Sequence, residues 1–213
     1  NSNAPFAGYS SLYSSLFSQS PLQPVTFSNG LPAAFLTTAS NPIYQAQNGG
    51  YKLAENNYFT GRFKAKLIIP FVKGLSAEGV ASVDRSNLFG KDFSTPYKLY
   101  RADVNGNYNP VTGVDSKGND LKPMLNESVT KANYITMNFS LNYTRTFAKH
   151  NLGALFLYES TETKTDVLSA ARTNIFSNTS DQLFAGDASI TNNGSASESG
   201  RVGYVGRLNY SYS

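Results

Sequence analysis

Oxygen-bearing side chains gather around two glycines in the middle of the chain: Asp103, Asn105, Asn107, Asp115, Asn119 and Asp120, beside Gly106 and Gly118. Carboxylates and amides held in tight loops are the hard donors that calcium takes, and glycine supplies the backbone freedom such loops need. The spacing lacks the closing Glu of the EF-hand pattern, so a plain polar loop is the favoured reading and no metal site is assigned. Other chemistries are poorly supplied. The 213 residues hold no Cys and one His, His150, which excludes disulfides, thiolate sites and His/Cys metal clusters within this chain. His150 lies in a turn pattern and is read as a solvated turn residue. No nucleophile, base and orienting group occur together, so no catalytic residue and no cofactor is expected, and the chain is not expected to be an enzyme. The net charge of +4 comes from scattered Lys and Arg, without the clustering that a nucleic-acid partner requires.

Alternating patterns run through several stretches of the chain. From Ile135 the odd positions read Ile135, Met137, Phe139, Leu141 and Tyr143, and the even positions Thr136, Asn138, Ser140, Asn142 and Thr144. Period two gives an extended strand one apolar and one polar face. The short link Ala148-Lys149-His150-Asn151 leads into Leu152-Gly153-Ala154-Leu155-Phe156-Leu157-Tyr158, which makes a hairpin. On this second strand the faces conflict. If Leu152, Ala154, Phe156 and Tyr158 are lipid-facing, Leu155 and Leu157 lie on the lumen side; a covering plug or loop and the opposite register both account for that. A second hairpin sets Phe59, Gly61, Phe63, Ala65, Leu67, Ile69 and Phe71 against Arg62, Lys64 and Lys66, turns at Val72-Lys73-Gly74, and returns with Leu75, Ala77, Gly79, Ala81 and Val83 against Glu78 and Asp84. Opposite charges across strands are favourable there. The last strand alternates Val202, Tyr204, Leu208, Tyr210 and Tyr212 with Arg201, Arg207, Asn209 and Ser211.

Between these segments lie long polar stretches at about 1–56, 87–132 and 164–199, the first with a short helical turn at 11–17. Only 15% of residues are charged, against about 25% in ordinary soluble domains, while Tyr and Phe number 14 each. The expected fold is therefore all-β, with about five strands of some ten residues or more. The longest apolar run, Leu67-Ile68-Ile69-Pro70-Phe71-Val72, is far too short for a membrane helix. Strands of this length joined by short turns at one end and long loops at the other are the asymmetry of an outer-membrane barrel. Aromatics near the strand ends, including Phe59, Phe71, Tyr143, Phe147 and Tyr158, suit its interfacial girdles. On this reading Phe63, Leu67, Ile135, Met137, Phe139, Leu141, Tyr204, Leu208 and Tyr210 are lipid-facing. Arg62, Lys64, Lys66, Glu78, Asn138, Asn142, Arg201 and Arg207 are lumen-facing.

The stretch Gly200-Arg201-Val202-Gly203-Tyr204-Val205-Gly206-Arg207-Leu208-Asn209-Tyr210-Ser211-Tyr212 resembles the SusC/RagA family of TonB-dependent outer-membrane transporters. Asp181-Gln182-Leu183-Phe184-Ala185-Gly186, Lys149-His150-Asn151, Val72-Lys73-Gly74-Leu75, Asn41-Pro42 and Gly49-Gly50-Tyr51 resemble further segments of that family in the same order. The resemblance implies a piece of a transmembrane antiparallel barrel of about 22 strands, with short periplasmic turns and extracellular loops. It also implies import of glycans or peptides across the outer membrane of a Gram-negative bacterium, in the Bacteroidota. The implied partners are a SusD-like surface lipoprotein as lid, the TonB–ExbB–ExbD complex acting through regions outside this chain, outer-membrane lipid, and the remainder of its own barrel. Five strands cannot close a barrel in a membrane, where every edge must be paired. Residues 1–213 are accordingly expected to be a partial barrel domain, and the family's plug has no counterpart in them. Two rivals stand beside this reading: a passive outer-membrane barrel, and a surface β-domain acting as a binding module.

Overall fold

The computed structural model describes residues 2–5, 8–19, 22–36 and 39–212, with side chains from residue 8 onward. In chain order the elements are β1 (Ser2–Pro5), α1 (Tyr9–Phe17), α2 (Pro42–Asn48), β2 (Gly50–Ile68), β3 (Leu75–Ser94), β4 (Tyr100–Ala102), β5 (Tyr108–Pro110), β6 (Met124–Phe147), β7 (His150–Arg172), a 3-10 turn (Leu183–Ala185) and β8 (Ile190–Tyr212). One sheet has the order β1-β2-β3-β6-β7-β8, and β4 and β5 form a separate two-stranded ribbon. The five long strands are thus neighbours in chain order, as consecutive hairpins require. β1 adds a short antiparallel sixth strand, with Pro5 opposite Tyr51. Pro cannot donate to a ladder, which suits an edge.

The strands are longer than the alternating patterns. β2 and β3 have 19 and 20 residues, and β6, β7 and β8 have 24, 23 and 23. The expected loops shrink accordingly: β2 starts at Gly50, β3 runs to Ser94, β6 begins at Met124, and β7 and β8 meet the third loop at Arg172 and Ile190. The reason is visible in β7. Beyond Glu159 it continues Ser160-Thr161-Glu162-Thr163-Lys164-Thr165, β-prone but polar on both faces. Alternation reports a face buried from water; it is silent where both faces are wet and the ladder still pairs.

Contacts divide the chain into two units. One comprises residues 56–88, 130–167 and 195–213, the inner parts of the five long strands with both short turns. Its first reversal is closed by Ile69 N–H donating to the Leu75 carbonyl at 3.0 Å, with Leu75 N–H on Val72 O at 3.1 Å inside it. Gly74 has φ 90, and a Cβ there would lie 2.0 Å from the Thr144 carbonyl oxygen, so β6 can approach only a glycine. The second reversal is just Ala148-Lys149, with Ala148 at φ 52. A left-handed alanine is strained by about 1 kcal/mol, a cost glycine avoids. Ala148→Gly is expected to raise the resistance of the folded protein to urea by about 0.5–1 kcal/mol; an unchanged or lower midpoint would contradict the geometry.

The other unit comprises residues 1–55, 89–129 and 168–194. Its core packs Phe93, Leu125, Ile175 and Ala185, with Tyr51 and Leu183 against them. Asn41 is fully buried and N-caps α2: its Oδ1 accepts from Tyr44 N–H at 3.1 Å, and its Nδ2 donates to Val25 O at 2.8 Å and Ala33 O at 2.9 Å. Pro42 at the first helical position adds a φ already set for the helix. The expected turn at 11–17 is helix α1, and α2 is a second helix within the stretch read as loop.

Candidate functional site

In the unit of short turns, the side chains sort by face as the alternation requires. Lys64 Nζ meets Glu78 Oε1 at 2.8 Å across β2 and β3. Arg201 Nη2 lies 3.5 Å from Glu159 Oε1 across β7 and β8. Turned to donate, the Asn138 amide reaches Glu159 Oε2 at 3.2 Å. These contacts join Lys64 to Glu78, and Asn138 to Glu159 and Arg201, on the polar side. Asn142 donates to Ser140 Oγ at 3.4 Å on the same side of β6. Arg62, Lys66 and Arg207 are exposed.

Rings collect on the apolar side. Tyr204 packs on Tyr158 and Phe156, with centroids 5.3 and 6.4 Å away. Glu159 reaches Arg201 while Phe156 and Tyr158 reach Tyr204, so the even positions of β7 share the apolar face of β8. Leu155 and Leu157 therefore alternate onto the side of Glu159 and Arg201. Phe63, Leu67, Met137, Phe139, Tyr204, Leu208 and Tyr210 are all exposed, Leu208 at 78%; Ile135 and Leu141 are half-buried. His150 belongs to this aromatic side rather than to an isolated turn: its Nδ1 is 2.7 Å from the Tyr210 hydroxyl, and its ring lies 5.1 Å from that of Tyr212.

In the other unit, the candidate calcium donors are engaged one by one. Asp103 Oδ1 accepts from the backbone of Asn105 and Asn107, both at 2.8 Å, and Asp115 Oδ1 from Lys117 and Asn119 at 2.8 and 2.9 Å. These are two copies of one turn, in which an Asp side chain closes its own loop; the amides hold both carboxyls below the usual carboxylate range. Asp120 pairs with Lys98 at 2.6 Å. Among the described residues, no group of three His, Cys, Asp or Glu side chains is arranged to hold a metal.

The densest polar cluster was not legible from spacing. Lys91 Nζ bridges Asp181 Oδ2 at 3.1 Å and Glu127 Oε1 at 3.3 Å, and the Tyr51 hydroxyl donates to the same Asp181 oxygen. Lys91 is buried. The cluster ties the segment after β7 to β2, β3 and β6, next to Phe93, Leu125 and Ile175. Pattern reading missed it because its members lie up to 130 positions apart. A Lys inside a strand whose neighbours are Phe89 and Phe93 was the only hint. The donated Tyr51 bond, then Lys91, keep the Asp181 carboxyl below its ordinary value, while burial and Asp181 push the Tyr51 hydroxyl up. A lowered acid contributes stability above its unfolded pKa, about 4, and loses it as pH falls through the folded value; a raised phenol contributes below about 10 and loses it above. Protease resistance of residues 173–189 is therefore expected to hold between those limits and fall on both sides; a flat profile would contradict the cluster.

Beside it a cavity of about 600 Å3 is lined by Tyr44, Tyr97, Tyr100, Gln47, Asn48 and Asn178, among others. Its one charged lining group, Lys98, is the partner of Asp120. Burial raises the Tyr97 phenol.

Five long strands with one exposed apolar face, one charged face and reversals of a few residues define the wall of a β-barrel. No described helix is long and apolar enough to cross a membrane. Solved structures that this fold matches include transporters. The RagAB peptide transporter is matched with a TM-score of 0.62 at 20% identity, over 86% of this chain and 19% of that chain. The RagAB peptide importer is matched in its closed-closed state (TM-score 0.63) and its open-open state (0.61), each at 20% identity, over 87% of this chain and 19% of that chain. The chain thus spans about a fifth of the length of the transporters whose fold it shares. No family model matches the sequence, and no curated protein does.

Proposed function

We propose that this chain forms part of the barrel of a SusC-like, TonB-dependent nutrient importer in the outer membrane of a Gram-negative bacterium of the Bacteroidota. The observation that carries the reading is the exposed apolar face of strands whose fold matches a barrel transporter. On this reading the apolar face meets lipid, the Lys64–Glu78 and Asn138–Glu159–Arg201 groups line the lumen, the short turns are periplasmic and the long loops extracellular. A SusD-like lipoprotein caps the loops. TonB–ExbB–ExbD supplies energy through parts of the protein outside these residues.

Between glycans and peptides, the cavity of tyrosines and amides, whose one charged lining group is already paired, favours an oligosaccharide. Amides donate to and accept from hydroxyls, and tyrosine offers an apolar face with a polar tip; a peptide's charged termini would find no free counter-charge there. The test is uptake of labelled oligosaccharides and peptides by cells carrying the full-length protein, with and without TonB. TonB-dependent uptake of oligosaccharide supports the reading. Uptake that persists without TonB favours a passive barrel, and no uptake of either solute contradicts import.

A further inference from the structure

Where the apolar face of β2, β3 and β6 ends, away from the short turns, its residue types change abruptly. Phe63 and Phe59 give way to Asn57 on β2, Ala81 and Val83 to Arg85 and Asn87 on β3, and Ile135 to Asn133 and Lys131 on β6. All these positions are odd, so alternation keeps them on the side of Phe63, Leu67, Ile135 and Met137. Asn56 and Ser86, on the even side, meet each other at 3.2 Å, which aligns the faces of β2 and β3.

The odd-numbered groups surround a cavity of about 400 Å3, lined by Asn57, Phe59, Arg85, Asn87, Lys131 and Asn133 with Tyr58 and Ser86. No carboxylate lines it. Among the described residues, neither Arg85 nor Lys131 forms an ion pair, and both are exposed. Lys164, the next base on β7, is by contrast paired with Glu198. Asp84, beside Arg85 in sequence, alternates to the other face.

From Phe59 to Ile69 the apolar run of β2 spans ten steps. At about 3.3 Å per residue and a tilt near 40°, that is about 25 Å of height, the thickness of a barrel's lipid-facing band. Arg85 and Lys131 thus stand where headgroups begin. Two cations and three amides directly above an apolar wall match one kind of occupant: a lipid whose headgroup carries a phosphate and whose chains lie along that wall.

We propose that Arg85 and Lys131, with Asn57, Asn87 and Asn133, form a binding site for the phosphate of a lipid headgroup in the leaflet on the loop side. The site rests on the barrel reading above. The full-length protein, reconstituted into phosphatidylcholine vesicles with or without equimolar phosphatidylglycerol, tests it. Lipid retained on extraction into mild detergent is then quantified for the wild type, Arg85→Gln/Lys131→Gln and the charge-keeping Arg85→Lys/Lys131→Arg.

Wild type and the charge-keeping variant are expected to retain phosphatidylglycerol over phosphatidylcholine. The neutral variant should show a preference about 30-fold weaker, the combined worth of two cations at an anionic surface. Equal retention by the neutral variant overturns the site. Competition by millimolar inorganic phosphate overturns the lipid as its source. Protease protection in the same vesicles reads insertion separately: failure of the wild type to insert removes the barrel reading and the site with it, whereas insertion of the wild type and both variants with equal retention removes the site alone.

Discussion

Lys91→Met is expected to release the segment 173–189 from the sheet. The lysine is buried between Asp181 and Glu127, and its removal leaves two part-buried carboxylates facing each other. Breaking a fully buried pair costs about 3–5 kcal/mol. The two acids here keep side-chain exposures of 35% and 25%, so a cost of about 2–3 kcal/mol is appropriate after solvent screening. That raises the open population about 30- to 150-fold. Amide exchange reads it at Ile175, whose N–H donates to Pro123 O at 3.0 Å, and at Phe176, whose N–H donates to Ala185 O at 3.2 Å. Unchanged exchange at both would show that apolar packing on Phe93 and Leu125 holds the segment alone. Replacing Lys91, Glu127 and Asp181 together with neutral residues of similar volume should recover most of the loss, because no charge is then stranded.

Asn41→Leu is expected to be as damaging. It removes the cap from Tyr44 N–H, worth about 1 kcal/mol, and leaves the Ala33 carbonyl without the amide donor that reaches it at 2.9 Å, whereas the Val25 carbonyl keeps the Ala33 N–H at 3.0 Å. An unsatisfied buried polar group costs about 1–3 kcal/mol, so a total of about 2–4 kcal/mol follows. Asn41→Asp keeps the acceptor but sets a carboxylate against two carbonyls, and should lose nearly as much. Limited proteolysis between residues 22 and 48 measures both; if Asn41→Asp matches the wild type, the donated bonds carry little of the stability.

These two residues show where sequence reading stops. The hairpins at 59–84 and 133–158 were legible because a face kept from water forces period two, and the reversals because Gly74 and the Ala148-Lys149 link leave the chain few ways to turn. The same logic set Arg62, Lys64 and Lys66 opposite Glu78 and Asp84, of which Lys64 and Glu78 pair at 2.8 Å. It under-measured the strands, since Thr161 to Thr165 carry no apolar period although they pair. It could not find Lys91–Asp181–Glu127 or the triple role of Asn41, because those bonds join positions whose proximity only the fold creates. The Asp103 and Asp115 turns were located correctly as oxygen-rich loops, but side chains two and four residues from a backbone N–H satisfy that N–H first, and these carboxylates close their own turns.

The central claim is that the odd face of β2 and β6 and the even face of β8 meet lipid while the opposite faces line a lumen. This chain has no cysteine, so single Cys replacements can be spin-labelled one at a time in the full-length protein reconstituted in vesicles. Labels at Phe63, Met137 and Leu208 are expected to be accessible to oxygen, which concentrates in the bilayer. Labels at Lys64, Asn138 and Arg201 are expected to be accessible instead to a water-soluble nickel chelate, and the two readouts should alternate with period two along β6. Chelate accessibility at every position, with no alternation, would contradict the barrel account.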